Sequence, residues 1–439
     1  MVLSPSARKT KSELIKAYER FVPRELLKLL GEADITQVHL GNQIETEMTI
    51  LFSDIRGFTS ISEEMTPQQN YHFLNTYFSQ MEPEIRRLKG IIDKYVGDAI
   101  MALFPSSADN ALECAVAMLN RLDTYNAARK EAGDAPVRIG IGLNTGLCML
   151  GTVGGENRME TTVISDAVNL ASRIEQMNKK YHTRILVSEN TFHHLNNRED
   201  MGIRFLDRVK VKGRTQPQSV YELFENDPPA CREGKLRTRR TFEEALAHYH
   251  FQYIQTAQSL LKECLRINPE DIPARIYYDR CKEFFACGHH ESTGEIGKSV
   301  VWTSEYEFGI PEIDAQHREL FARVNRLMEV VFKGVEMSEI KETIAFLDRY
   351  VSSHFTIEEA LMEEYGYPFT HYQKLQHRNF TDTFANLKEE ISSVDDSNRL
   401  YTLFRIQLLV VDWLITHTAK QDKHLGRFIK RKQHGLSTR

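Results

Sequence analysis

The stretches LFSDIRGFTSISE (residues 51–63) and DKYVGDAIMALF (residues 93–104) each place an aspartate where a run of strand-forming apolar residues ends. Asp54 follows the run 48–52, and Asp98 lies in a Gly-Asp tip between two short apolar runs, which predicts a β-hairpin. Carboxylates at the ends of neighbouring strands can hold Mg²⁺, an ion that prefers oxygen ligands and commonly shares them with a phosphate. The pair therefore predicts a metal-dependent site for phosphoryl or nucleotidyl chemistry.

Length and composition restrict the class of protein. A chain of 439 residues is too long for one ordinary core, so two or three domains are expected. The net charge of −5 gives no global electrostatic case for binding nucleic acid or an anionic membrane. No apolar run approaches the ~20 residues that span a bilayer, and the N-terminal MVLSPSARKTKSE lacks the apolar core of a signal peptide. Six cysteines without regular spacing are typical of a reducing compartment, so we expect a cytoplasmic protein without a membrane span.

Strand and helix patterns alternate from residue 46 to about 225, which favours an α/β or α+β sandwich. A helical segment interrupted at Pro23 precedes this region, within residues 1–45. The predicted elements are a strand at 47–53, a helix at 67–88, the hairpin 91–104, a helix at 108–131, strands at 137–143 and 147–153 around a turn at Asn144-Thr145-Gly146, a helix at 166–180, a strand at 184–187 and a strand pair within 204–223.

The second half of the chain is predicted to be helical. Residues 226–299 form a connector that begins at a Pro-containing linker and includes a helical unit resembling a tetratricopeptide repeat. Residues 300–439 contain four long helical patterns with short breaks, which predicts an all-α four-helix bundle. Together with an N-terminal segment at 1–45 and a sandwich at 46–225, this gives a multidomain protein.

The segment SDAVNLASR (residues 165–173) is a second cue for nucleotide chemistry. Asn169 and Arg173 are four residues apart, so they share one face of a helix. An amide and a guanidinium there can orient a ribose and neutralise charge on a phosphate. The simpler interpretation of the two side chains is a solvated helix face, and Ser165 with Asp166 is most simply an N-cap.

Taken together, these motifs resemble the class III nucleotidyl cyclase catalytic domain over roughly residues 45–225, because four separated motifs occur in the family order. The resemblance implies two Mg²⁺ or Mn²⁺ ions at Asp54 and Asp98, with the main chain of Ile55 also contacting metal. It further implies that Asn169 orients the ribose, that Arg173 stabilises the transition state, and that Lys212 or Arg214 binds the triphosphate.

The resemblance also identifies two residues that read the base. Lys94 occupies the adenine-selecting lysine position, and Thr162 occupies the position of its partner, where many adenylyl cyclases have aspartate. A threonine there is similar to the bicarbonate-responsive branch of the family, so bicarbonate is an expected effector. Guanylyl cyclases carry glutamate and a small residue at these positions. An ammonium only donates hydrogen bonds, so Lys94 suits adenine N1 and not the N–H groups of guanine, which favours ATP over GTP.

For the family, the implied reaction is in-line attack of the ribose 3′-OH on the α-phosphorus with release of pyrophosphate. One metal lowers the pKa of the hydroxyl, and the other holds the β- and γ-phosphates. The aspartates would come from one subunit, and Lys94, Thr162, Asn169 and Arg173 from the other. Because the chain has one copy of each residue, we expect a homodimer with two equivalent sites.

Other nucleotide-binding motifs are absent from the sequence. There is no G-x-x-x-x-G-K-[ST] loop. Gly140, Gly142, Gly146 and Gly151 do not match a dinucleotide fingerprint, and they are interpreted as hairpin glycines.

Histidines and carboxylates recur after residue 313. His354 and Glu358 lie four residues apart, on one helix face. His417 and Asp422 lie five apart, an offset of roughly 140° on a regular helix, so a shared ligand role needs a long reach or a local π-bulge.

This pattern resembles the hemerythrin family, and more specifically its bacterial members, over roughly residues 300–430. That family is an oxygen-binding four-helix bundle with two non-haem irons. The resemblance implies iron-binding roles for His317, His354, His377 and His417 and bridging roles for Glu358 and Asp422. One family histidine falls on Gln373, which can ligate weakly through its carbonyl oxygen, bind through water, or leave a position open.

The sequence therefore predicts a homodimeric adenylyl cyclase regulated by a diiron centre that binds O₂ or another small diatomic ligand. Two alternatives stay open. One is a guanylyl cyclase with the same sensor, and the other is a diiron oxygen-binding protein whose cyclase-like domain serves only for dimerisation. All six family positions of the cyclase are filled, which speaks against the second.

Overall fold

The structure is a computed structural model and describes residues 23–32, 35–155, 157–196, 201–209, 217–287, 301–333, 337–392 and 399–433. The predicted helix before Pro23 lies outside these residues. The chain divides into two compact units: Met1–Arg239 with Ile267–Ile276, and Arg240–Arg266 with Tyr277–Arg439. The segment expected to be a connector thus contributes residues to both units.

The first unit is built on one mixed sheet with helices, which confirms the predicted α+β class. Its strands run in the order β2-β3-β1-β4-β6-β8-β7, with β5 paired to β4. All pairs are antiparallel except β4 with β6. The strands are β1 Gln43–Ile55, β2 Ile91–Val96, β3 Ala99–Phe104, β4 Ile139–Gly155, β5 Arg158–Ile164, β6 Ile185–Ser188, β7 Ile203–Val209 and β8 Gln218–Leu223. The helices are α1 Arg24–Leu29, α2 Phe58–Glu63, α3 Pro67–Arg87, α4 Ala108–Glu131, α5 Asp166–Tyr181 and α6 Glu189–His193.

Strand β1 places the first aspartate next to the second. It pairs with β3 as far as Ser53, opposite Ile100, so the next residues of β1 lie beside the β2–β3 turn. That turn holds Asp98, and the main-chain N–H of Ile55 donates to Asp98 Oδ2 at 3.2 Å. The hairpin predicted for residues 91–104 is present and supplies this contact.

The turn predicted at Asn144-Thr145-Gly146 is wrong, because β4 runs unbroken through it. All thirteen residues of β1 pair with β4, which keeps these polar residues inside the ladder. Their side chains find partners in the interior instead of solvent. Asn144 Nδ2 donates to the carbonyl of Ala167 at 2.8 Å, and Thr145 Oγ1 lies 2.8 Å from Thr49 Oγ1.

The interpretation of the β4 glycines as hairpin glycines is also wrong. A Cβ on Gly142 would lie 2.7 Å from the carbonyl oxygen of Ala171, and one on Gly140 would lie 2.6 Å from Glu175 Oε1. Both contacts are with helix α5, so the glycines let that helix lie directly on the strand. Gly146 and Gly151 also occupy strand positions, close to neighbouring atoms.

The helices after the sheet are α7 Pro229–His250, α8 Ile254–Ile267 and α9 Ile272–Cys287. A buried charged network fixes the start of α9 to the sheet. Arg204 on β7 donates two hydrogen bonds to Asp271, at 2.7 and 2.8 Å, and a third to Glu222 at 2.7 Å. Lys235 on α7 contacts Glu222 and Asp227, each at 2.6 Å. The Arg204 and Asp271 side chains are fully buried, so each depends on the other for its charge.

The second unit contains four long helical runs in the region expected to be helical. They are α10 Pro311–Lys333, α11 Met337–Tyr365, α12 Thr370–Ser392, and a final run composed of α13 Arg399–Ile406, a π-helix Gln407–Val411, α14 Asp412–His417, a second π-helix Thr418–Asp422 and α15 Lys423–Gln433. Apolar residues from these runs form a shared core that includes Phe321, Leu347, Phe380 and Val410. Within the described residues, no helix combines the length and the apolar character needed to cross a bilayer.

Replacing Asp271 with alanine should lower the free energy of unfolding by about 3–5 kcal/mol, because it leaves the buried Arg204 guanidinium with one carboxylate in place of two. Chemical denaturation of the full chain, followed by circular dichroism, measures this loss. The control is Glu84→Gln, which removes the partner of the exposed Arg87 and should cost less than about 1 kcal/mol. Equal losses in the two variants would contradict the assigned role of the network.

Candidate functional sites

The first candidate site centres on Asp54 and Asp98, which are half-buried at one end of β1. Burial, and then the adjacent Asp54 carboxylate, raise the pKa of Asp98 to about 6. Burial and Asp54 likewise raise the pKa of Glu175, on α5, to about 7. Because these acidic groups repel one another, the site favours a cation. Two adjacent carboxylates are oxygen donors that suit a hard divalent ion.

The two residues expected to read the base lie close together. Lys94 is on β2 and Thr162 is on β5, two strands that do not pair. Asp93 joins them, since Thr162 Oγ1 donates to Asp93 Oδ2 at 3.2 Å and Lys94 Nζ lies 3.6 Å from the same oxygen. Lys94 Nζ also contacts Glu160 Oε1 at 2.5 Å. Neither acidic contact could be predicted from the sequence, because both depend on tertiary contacts between β2 and β5, two strands that do not pair.

Helix α5 carries the other two residues expected at the nucleotide site. Ser165 caps it by accepting a hydrogen bond from the N–H of Ala167 at 3.0 Å, which confirms the predicted N-cap. Asn169 is exposed and Arg173 is half-buried on the same helix. Lys212 and Arg214 lie outside the described residues, so their predicted triphosphate role stays a prediction.

The second candidate site is a cluster of four histidines in two pairs, all of them buried. His317 Nε2 lies 3.2 Å from His354 Nε2, and His377 Nε2 lies 3.2 Å from His417 Nε2. The members of each pair come from different helices, α10 with α11 and α12 with α14. The four imidazoles therefore present their Nε2 atoms to a common centre.

Two buried carboxylates connect the histidine pairs. Glu358 places Oε1 3.4 Å from His354 and Oε2 3.5 Å from His377. Asp422 places Oδ2 3.3 Å from His317 and Oδ1 3.0 Å from His417. Each carboxylate thus has one oxygen toward each pair, which is an arrangement that can bridge two cations.

The electrostatics of this cluster favour metal. Both Glu358 oxygens and Asp422 Oδ2 are buried without a hydrogen bond among the described residues. Burial would lower the pKa of His417, but Asp422 and Glu358 outweigh that effect and raise it to about 9. Burial would raise the pKa of Asp422, and the surrounding histidines hold it well below its ordinary value. Without a cation, protons on the histidines must balance the two acids. The imidazole and carboxylate donors fit a transition metal such as iron.

A π-turn explains how His417 and Asp422 reach the same centre. Residues Thr418–Asp422 form a π-helix, whose hydrogen bonds close after five residues. The extra residue turns Asp422 back toward the face of His417. Of the two possibilities that the five-residue spacing left open, the structure has the π-bulge.

Gln373 lies where the family usually has a histidine, and it is buried beside the cluster. Its Nε2 donates to Asp422 Oδ1 at 3.4 Å. His371, two residues before Gln373 on the same helix, is exposed. The described side chains therefore give the cluster four histidines and one amide.

Several neighbours of the histidines were not singled out from the sequence. Glu359 accepts a hydrogen bond from His377 Nδ1 at 2.9 Å, which fixes the ring nitrogen that faces the cluster. Phe355 stacks on His377 with 3.8 Å between the ring centroids, and Trp413 stacks on His417 at 4.4 Å. The adjacent acids Glu358 and Glu359 were the sequence signal from which the Glu359 contact could have been predicted, since adjacent side chains on a helix face different directions.

Two family models match parts of the chain. Residues 41–224 match the adenylate and guanylate cyclase catalytic domain, and residues 309–429 match the hemerythrin HHE cation binding domain. The chain thus contains a class III nucleotidyl cyclase domain followed by a hemerythrin domain.

Two curated relatives and one solved structure are similar to parts of the chain. An adenylate cyclase of Anabaena cylindrica is 41% identical over 215 residues, which are 48% of this chain and 43% of that protein. A terminal-differentiation specific adenylate cyclase of Dictyostelium discoideum is 37% identical over 284 residues, which are 63% of this chain and 13% of that protein. The crystal structure of the guanylyl cyclase Cya2 is 35% identical, covers 42% of this chain and 95% of its own, and gives a TM-score of 0.38. The chain spans less than half the length of these two curated relatives.

Metal binding to the histidine cluster should release protons. A pKa of about 9 keeps His417 protonated at pH 7.5 in the metal-free protein, and a histidine must lose its proton to bind a metal. Adding Fe²⁺ anaerobically to metal-free protein in weak buffer should release at least one proton per chain at pH 7.5. A pH-stat measures the release.

The matched control for this experiment is His371→Ala, which removes an exposed histidine from the same helix and should leave the proton count unchanged. Metal uptake at pH 7.5 without proton release would contradict the expected protonation of the cluster.

Proposed function

We propose that the protein is an adenylyl cyclase that converts ATP to 3′,5′-cyclic AMP and pyrophosphate. The observation that carries the proposal is the joint placement of Asp54 and Asp98, half-buried and close enough to raise the pKa of Asp98. The cyclase family of residues 41–224 and two adenylate cyclase relatives support it.

Each residue has a proposed task in this reaction. Asp54, Asp98 and the main chain of Ile55 would hold two Mg²⁺ or Mn²⁺ ions, which supply charge neutralisation for the phosphates and activation of the ribose hydroxyl when bound. Asn169 orients the ribose, and Arg173 meets charge on the α-phosphoryl oxygens. Comparable electrostatic groups contribute roughly 2.7–4 kcal/mol to a transition state.

The preference for ATP rests on Lys94 and Thr162. Lys94 donates to adenine N1, and guanine presents an N–H donor at that position, so the two donors would repel. A guanylyl cyclase is the nearest alternative, and a higher rate with GTP than with ATP would establish it. The resemblance to bicarbonate-responsive enzymes makes bicarbonate a proposed effector as well.

We further propose that the active enzyme is a homodimer with two shared sites. One chain supplies one copy of each residue that the reaction needs. Strands β4 and β5 also expose Met149, Val153, Met159 and Ile164, and apolar side chains grouped on one strand pair are typical of an association surface.

The C-terminal region would be a four-helix bundle holding two non-haem irons. The proposed ligands are His317 and His354 for one ion and His377 and His417 for the other, with Glu358 and Asp422 bridging. Gln373 would contribute through Asp422, to which it donates a hydrogen bond, and not as a histidine substitute. The two ions would then have equal numbers of histidines, which leaves open positions for O₂ or another diatomic ligand.

Control of the cyclase by this centre is the remaining part of the proposal. A change in iron oxidation or ligation alters which contacts the ligand helices favour, and a switch needs such a difference between two states. The competing function is a diiron oxygen-binding protein whose cyclase domain only dimerises. The complete set Asp54, Asp98, Asn169 and Arg173 favours the enzyme.

Asp54→Ala should abolish formation of cyclic AMP from ATP while the protein stays folded, because the metal site loses half of its carboxylates. Arg173→Ala should lower the rate by about 10²–10³, as expected for an electrostatic group at a transition state. Chromatographic detection of cyclic AMP measures both. Retained activity in Asp54→Ala would remove the catalytic assignment.

Mixing the two inactive variants tests the shared site. A heterodimer of Asp54→Ala and Arg173→Ala chains has one doubly damaged site and one intact site, so activity should return on mixing. A mixture as inactive as either variant alone, with subunit exchange verified, would argue against sites shared between chains.

The regulatory claim is tested on one iron-loaded sample that is reduced anaerobically and then aerated. The cyclase rate with ATP should differ between the two states, while His354→Ala should give one rate in both because its iron centre is disrupted. Equal rates in the wild-type protein would remove the sensor role and leave the cyclase assignment intact.

A further inference from the structure

Strand β2 contains an irregularity at the residue before the proposed adenine-reading lysine. Ile92 pairs with Ala102 and Lys94 pairs with Met101, so Asp93 is an extra residue without a partner on β3. Successive side chains of a regular strand point to opposite faces. A bulge interrupts that alternation and re-aims the side chains around it. Asp93 and Lys94 consequently both contact residues of β5.

The Asp93 side chain is fully buried, and it interacts with both base-reading residues. Its Oδ2 accepts a hydrogen bond from Thr162 Oγ1 at 3.2 Å and lies 3.6 Å from Lys94 Nζ. Burial raises the pKa of Asp93, while Lys94 and Thr162 act against that rise. The charged carboxylate is therefore the form that its two neighbours stabilise.

This contact determines whether the Thr162 hydroxyl acts as a hydrogen-bond donor or acceptor toward other groups. A threonine hydroxyl has one hydrogen to donate and two lone pairs, and a carboxylate can only accept. While Thr162 donates to Asp93, its oxygen can act only as an acceptor toward any third group. A free threonine would serve a donor or an acceptor equally well and would not discriminate between them.

The base edges of ATP and GTP differ in this respect. Adenine presents an acceptor at N1 and a donor at its 6-amino group, whereas guanine presents a donor at N1 and an acceptor at its 6-oxo group. A donor from Lys94 and an acceptor from Thr162 match adenine at both points. Both are mismatched with guanine.

We propose that Asp93 is a specificity-determining positioning residue: it fixes the Thr162 hydroxyl as an acceptor for the 6-amino group of ATP. Asp93 would thereby replace the carboxylate that many adenylyl cyclases carry at the Thr162 position. The inference rests on the proposed ATP site. Asp93 acts through Thr162 and does not itself touch the nucleotide.

The test compares three nucleotides: ATP, GTP and purine riboside triphosphate, which has adenine N1 but no 6-amino group. Asp93→Ala should lower kcat/KM for ATP by about tenfold, the usual effect of one hydrogen bond. It should leave kcat/KM for purine riboside triphosphate within about twofold of the wild-type value. The ratio of kcat/KM for ATP to kcat/KM for GTP should fall. In a Thr162→Val background, Asp93→Ala should have little further effect on that ratio.

Two further variants separate positioning from general effects. Glu160→Gln weakens the other acidic contact of Lys94, so it should change kcat/KM for ATP and for purine riboside triphosphate by the same factor. Asp93→Asn retains a carbonyl oxygen that can accept from Thr162, so it should restore most of the ATP preference. Circular dichroism and thermal unfolding establish that each variant is folded, and Asp93→Ser, whose short side chain no longer reaches Thr162, replaces Asp93→Ala if that variant is not.

Equal losses for ATP and purine riboside triphosphate in Asp93→Ala would overturn the inference, as would an unchanged ATP:GTP ratio. The proposed function can fail separately. If the wild-type chain forms no cyclic nucleotide, calorimetric binding of the same three nucleotides to wild-type and Asp93→Ala protein still decides the role of Asp93. Wild-type binding that favours GTP would reject both.

Discussion

Carboxylates held close together away from water are the constraint on which both candidate sites depend. Asp54 and Asp98 lie together because β1 ends beside the β2–β3 turn, and burial together with the adjacent Asp54 raises the pKa of Asp98. Glu358 and Asp422 are buried inside a helical core, where histidine nitrogens lie beside both and the Gln373 amide donates to Asp422. Uncompensated charge in such places costs several kcal/mol, so each site needs cations or protons to persist. The sheet holds the first acidic pair in place, and the helical core holds the second.

Much of the helical region was predictable, because its ligands follow helix periodicity. The four-residue spacing of His354 and Glu358 fixes a common face without knowledge of the tertiary structure. The five-residue spacing of His417 and Asp422 left two possibilities for a shared site, a long side-chain reach or a π-bulge. The structure contains the π-bulge. The stacking of Phe355 on His377 was not predictable, because it joins side chains from different helices whose relative rotation no local pattern specifies.

The sheet was less predictable where tertiary pairing overrides local turn chemistry. Asn144-Thr145-Gly146 has turn composition, yet thirteen paired residues of β1 hold it in a strand. Burial of its polar side chains is offset by interior hydrogen bonds, as from Asn144 Nδ2 to the carbonyl of Ala167. The bulge at Asp93 was hidden for a related reason. The adjacent polar residues Asp93 and Lys94 interrupt apolar–polar alternation, but only the pairing with β3 shows that Asp93 is the extra residue.

The two sites differ in burial, and this difference separates their roles. Asp54 and Asp98 are half-buried and offer few protein ligands, so a metal there would need further ligands from solvent or from a bound phosphate and could exchange. The histidine cluster offers six fully buried donors from four helical runs, so its metals would stay with the protein. The histidine cluster is therefore suited to a resident metal, and the pair Asp54 and Asp98 to a metal that exchanges.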